Sequence, residues 1–112
     1  MKIAVPTANG MMCAHFGHCE VFTIFDIDEE NQEILDTQIL HPPAHEPGAL
    51  PQWLSEKGVD LIIAGGMGMR AQQFFQQYNI RVMVGAASQK PETLVLSYIN
   101  GALHLGDNIC DH

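Results

Sequence analysis

Positive charge is scarce in this chain. Five Lys and Arg stand against 13 Asp and Glu, giving a formal net charge of −8, and the bases form no cluster. Such a surface repels phosphate backbones, so nucleic acid is not an expected partner. Long apolar runs are missing too: the longest, such as Leu61-Ile62-Ile63-Ala64, are strand-sized. They are too short to cross a bilayer, so no membrane association is expected. Met1-Lys2 leads straight into a short strand pattern and Pro6, without the charged and apolar regions of a signal peptide. The expected compartment is the cytoplasm, where cysteines stay reduced. Cysteine itself is sparse. Three cysteines leave one over in any intrachain pairing, which argues for thiolate chemistry rather than a disulfide framework. A Ser/His/Asp set is absent, and no paired carboxylates stand out from the acidic surface.

What remains is a chain of 112 residues, 46% hydrophobic, enough for one domain with a real core but not for two. Residues 1–112 are therefore expected to fold as a single domain. The soft-metal ligands are concentrated. Cys13-Ala14-His15-Phe16-Gly17-His18-Cys19 holds four of them, His41 and His45 flank Pro42-Pro43, and Cys110 and His112 close the chain. Thiolate and imidazole suit zinc, iron, copper or an iron–sulfur species. The spacings match neither a zinc finger nor a ferredoxin run, so the density indicates a site without naming its metal.

Along the chain, residues 2–6 read as a buried strand stopped by Pro6, with Asn9-Gly10 opening the ligand-rich loop. Residues 21–27 and 33–40 form a hairpin, the second strand half-exposed at a sheet edge. Three prolines make residues 41–47 irregular. A helix is predicted over 48–57, with Leu50, Trp53 and Leu54 inward and Gly58 ending it. An apolar strand follows over 59–64, and Gly65-Gly66-Met67-Gly68 turns into a helix over 69–78. A fifth strand spans 80–84, and a third helix spans 91–100, opened by Pro91 and broken by Gly101. The order β-β-β-α-β-α-β-α predicts an α/β fold: a five-stranded mixed sheet flanked by about three helices, with right-handed crossovers. The loop after the first strand and the glycine turn after the fourth then meet beyond the carboxyl ends of parallel strands, where such sheets place their sites.

Pro6 at the end of strand one, His15-Phe16-Gly17 running into Val21-Phe22, and Ala64-Gly65-Gly66-Met67-Gly68 before Ala71 resemble the dinitrogenase iron–molybdenum cofactor-binding family. That family includes nitrogenase accessory proteins, and the resemblance covers nearly the whole chain. It implies a ribonuclease H-like three-layer fold without nuclease activity. It also implies a role in holding or delivering a metal–sulfur cluster, in contact with the proteins that supply and receive it, with His15 as a ligand. The same resemblance lets the glycine turn, Gly66 included, line the cluster pocket, with Met67, Met69 and Arg70 at its mouth. Cys13, His18 and Cys19 around His15, and Cys110 and His112 at the end, go beyond the plainer family pattern. They read as a member with its own metal or cluster site, its cargo containing iron, zinc or molybdenum.

Each feature has a plainer reading. Cys13 and Cys19 serve as small core hydrophobes if they are not ligands, and the glycine turn is otherwise a tight strand-to-helix connection. His18 and Cys19 are adjacent and point apart in a strand, so both ligate only if Gly17 turns the chain. His41 and His45 read more simply as polar residues of a surface loop. Cys110 and His112 are either a frayed end or ligands reaching back within the chain or across a homodimer. The expected function is a non-catalytic metal or metal–sulfur-cluster carrier, scaffold or sensor. The alternatives are a small cysteine- or metal-dependent enzyme and an accessory subunit whose metal is structural.

Overall fold

Ile3 and Val5 alternate with Ala4, and all three are fully buried. A strand with apolar side chains on both faces must be covered on both, and the rest of the chain provides the covers. The computed structural model describes residues 1–14, 19–43 and 48–106. Expectations placed on His15, His18, His45, Cys110 and His112 lie outside the described residues. The elements are β1 (Lys2–Ala8), β2 (Met11–Met12), β3 (Val21–Asp28), β4 (Glu33–Leu40), α1 (Ala49–Glu56), β5 (Leu61–Ile63), α2 (Met69–Gln77), β6 (Arg81–Met83) and α3 (Pro91–Ile99).

The sheet runs in the order β4-β3-β1-β5-β6, with β2 paired to β1. Strands β1, β5 and β6 are parallel, and β3 and β4 join as antiparallel neighbours. It is a mixed α/β architecture with six strands rather than five, because Asn9-Gly10 makes a tight hairpin instead of an open loop. Both residues take positive φ, 55° and 78°, the pairing that a two-residue hairpin turn needs. Thr7 then lies opposite Met12, and Ala8 opposite Met11. Pro6 does not stop β1 either. Its carbonyl accepts from the Cys13 N–H at 2.9 Å, so its missing donor falls on the side where β5 pairing has already ended.

Leu54 of α1 and Phe75 of α2 pack with Ala4, Phe22, Ile24 and Ile62 on one face. Leu94 and Val95 of α3 pack with Ile3, Val5, Phe25 and Ile63 on the other. Each such buried side chain stabilises the fold by about 1.5–3 kcal/mol. The three helices end alike. Gly58, Asn79 and Gly101 take left-handed φ, and the N–H of the next residue reaches back to Leu54, Phe75 and Ser97 respectively, closing the last turn. Among the described residues no helix is long and apolar enough to cross a membrane.

Candidate metal or cluster site

The carboxyl ends of β1, β5 and β6 form one rim, and backbone hydrogen bonds stitch it together. Gly66 N–H donates to the Ala14 carbonyl at 2.7 Å, Gly85 N–H to Gly65 at 2.6 Å, and Gly106 N–H to Gly85 at 2.7 Å. The approach is too close for side chains. A Cβ on Gly65 would stand 2.8 Å from the Ala14 carbonyl oxygen, and one on Gly85, whose φ is +90°, would overlap the Gly106 carbonyl. The loop after β6 also holds β2. Gln89 accepts from Met12 N–H at 2.9 Å, and the Ser88 hydroxyl donates to the Met12 carbonyl at 2.7 Å.

Residues 15–18 are thus bracketed by pinned backbone. Ala14 is fixed before them by Gly66. After them, Glu20 N–H donates to the Thr7 carbonyl at 2.9 Å, and the Glu20 carboxylate accepts from Asn9 N–H at 3.0 Å. Cys13 is buried and Cys19 half-buried, both as free thiols. Burial pushes the Cys13 thiol up, against hydrogen bonds from backbone N–H groups that pull it down. Burial pushes Cys19 up to about 11, and the neighbouring Cys13 adds to the shift. Both side chains therefore keep their protons at neutral pH until something displaces them.

Cys13 lies near enough to Cys19 to help raise its pKa, but no group of three His, Cys, Asp or Glu able to hold a metal forms among the described residues. A two-thiol nucleus suits a thiophilic ion or an iron–sulfur species. A closed four-coordinate site needs donors beyond this pair, and His15, His18, Cys110 and His112 are the ones the sequence singled out. His41 is exposed beyond β4, on the far side of β3 from the rim strands.

The glycine turn fits its plainer reading, a tight connection from β5 to α2, more closely than the pocket lining that the resemblance implies. The Gly66 N–H is already taken by Ala14, so it ties the loop down instead of presenting a free donor. Met67 is 1% exposed in the core beneath α1 and α2, not at a pocket mouth. Its apolar side chain gains more from that layer than from solvent. Met69 and Arg70 are exposed in the first turn of α2.

The sequence reading also missed how the chain leaves α3. Leu105 bridges Ala86, next to β6, so the segment after Gly101 returns to the rim and carries exposed His104 with it. Gly85 and Gly106, spaced far apart in sequence, were the only signal, and neither betrays its partner.

The fold recurs. The crystal structure of PH0822 superposes with a TM-score of 0.84 at 24% identity, covering 94% of each chain. The apo form of the orange protein from Desulfovibrio gigas gives 0.72 at 17%, covering 96% of this chain and 93% of that one. At these identities the likeness is one of fold. In sequence, the uncharacterized protein MJ0580 of Methanocaldococcus jannaschii is 34% identical over 108 residues, covering 92% of this chain and 89% of that protein. The family model described as "Dinitrogenase iron-molybdenum cofactor" matches residues 1–101, from the start of β1 to the turn after α3. On that match the chain belongs to the dinitrogenase iron–molybdenum cofactor family.

Proposed function

We propose that this protein holds and hands on a metal ion or metal–sulfur cluster at the rim between β1 and β5, without transforming it. The cargo is one containing iron, zinc or molybdenum, and the partners are the proteins that deliver and receive it. The observation that carries this reading is the pair of neighbouring thiols, Cys13 and Cys19. They stand at either end of a segment with two histidines, on backbone pinned to three strand ends. Thiols kept protonated by burial carry no charge when empty, and a captured cation takes the place of their protons. Release is then favoured wherever the receiving protein offers better donors. The family description concerns a cofactor rather than a reaction, which supports a holding role. The strand order is compatible with the ribonuclease H-like layout that the resemblance implies.

The test is anaerobic reconstitution of the full chain with iron and sulfide, or with zinc, followed by metal analysis. The parent protein should retain metal in fixed ratio after desalting, and the double variant Cys13→Ala, Cys19→Ala should lose nearly all of it. Equal retention in both would remove the thiols, and with them this reading of the site.

A further inference from the structure

The family description names an iron–molybdenum cofactor, and a group built of metal and sulfide is an anion once thiolates ligate it. Sites for anions are made of free backbone N–H groups and cationic side chains. The rim offers little of either. The N–H groups of Gly66, Gly85 and Gly106 are each spent on a rim carbonyl, and those of Cys13 and Glu20 on Pro6 and Thr7. No Lys or Arg occurs between Lys2 and Lys57, a stretch that contains both thiols, or after Lys90. Lys2 and Arg81 open β1 and β6, and Lys2 Nζ donates to the Lys57 carbonyl at 3.2 Å. These three bases therefore gather at the opposite end of the parallel strands. Arg70 and Lys90 are exposed, and neither acts on Cys13 or Cys19.

The charge that does act there is negative. Glu20 directly follows Cys19, and its carboxylate is anchored by the Asn9 N–H at 3.0 Å. After burial, it adds to the rise in the Cys13 thiol. It is a charged neighbour and not a third ligand, since no group of three forms among the described residues. We infer that the site takes its cargo as a bare thiophilic cation, such as zinc or ferrous iron, and not as a preassembled metal–sulfide anion. This rests on the holding role proposed above and narrows its substrate class. Glu20 sets the preference by its field: a unit charge within about 10 Å of an ionic guest shifts its affinity roughly tenfold at the dielectric of a protein surface.

Equilibrium dialysis of the reduced full chain without oxygen tests this with two probes, cobalt(II) as the cation and tetrathiomolybdate as the anion. The parent should bind cobalt(II) with thiolate-to-metal charge-transfer absorption, and tetrathiomolybdate at least about 100-fold more weakly. Glu20→Gln keeps an oxygen acceptor for the Asn9 N–H and removes the charge. It should weaken cobalt(II) binding about tenfold and strengthen tetrathiomolybdate binding by a similar factor. A loosened loop would instead weaken both. Shifts in the same direction, or none, would overturn the role of Glu20. Tetrathiomolybdate bound as tightly as cobalt(II) would overturn the inference, and its loss in the Cys13→Ala, Cys19→Ala double variant would leave the holding role standing. Failure of the parent to bind either probe would remove the holding role, and the inference with it.

Discussion

At the scale of single residues, the property that sets the site apart is a proton held too tightly. Cys19 keeps its proton up to about 11, chiefly through burial and then through the neighbouring Cys13 thiol, against an ordinary value of 9.0. The folded protein therefore binds that proton more strongly than the unfolded chain does. The stabilisation is complete below pH about 9 and is lost as pH rises toward 11. Urea midpoints of metal-free protein should fall between pH 8.5 and about 10.5, and they should fall less in Cys19→Ser. The same midpoint shift in both proteins would mean that Cys19 titrates freely. Cys13 and Cys19 were picked out in the sequence as members of a wider ligand set with His15 and His18, because thiols are rare and their chemistry is specific; their closeness in the fold is a tertiary feature. Met67 was misread because a methionine in a glycine turn carries no sign of whether it points into the core or out of it. The use made of the Gly66 N–H depends on Ala14, fifty residues away in sequence, which no local pattern reveals.

At the scale of elements, hydrophobic patterning located nearly everything that packs. Strands β3 and β4 and all three helices fall within two residues of their expected limits, because alternating and helical periodicities act over short range. β5 and β6 came out shorter than their apolar runs, since the N–H groups of Val59 and Ile80 are drawn back to Leu54 and Phe75 at the ends of α1 and α2. The Asn9-Gly10 turn was seen, but its consequence, a sixth strand, was not. The path after α3 was the larger gap. The tail after α3 was left open between a frayed end and a return; the chain comes back through Leu103, packed against the α3-side core, and Leu105, bridged to Ala86. Two truncations separate what this segment does. Removing residues 107–112 should leave the metal-free melting temperature unchanged and reduce the rise produced by metal, if Cys110 or His112 ligates. Removing residues 102–112 should also lower the metal-free value, because Leu103 burial and the Ala86–Leu105 bridge are lost. Thermal scans of three proteins with and without zinc decide it, and an unchanged metal-induced rise after removal of 107–112 would make the tail a bystander.

At the scale of the molecule, charge opposes close approach of one copy to another. Two copies each carrying −8 repel at long range, and the radius of gyration of 12.7 Å is far below the screening length of about 30 Å at 0.01 M salt. At about 0.15 M that length drops to roughly 8 Å, less than the molecule's own radius. Raising the salt over this range should weaken the repulsion between copies, and the second virial coefficient measured by light scattering should fall. A coefficient that does not change between the two ionic strengths would mean that net charge does not govern how the copies approach.

The return of the chain to the rim also bears on how the protein should be handled. Gly106 sits at the β6 end of the rim, tied to Gly85. Met1 lies at the opposite pole, its amino group directed to the Ile27 carbonyl at 3.3 Å and its side chain packed in the core cluster that includes Tyr98 and Ile99. A polyhistidine purification tag fused after His112 would add imidazoles to the end of the chain that has returned to the rim, and metal counted on that version could not be credited to the thiol segment alone. The same tag ahead of Met1 would leave from the far end, and metal counted on that version would belong more nearly to the protein.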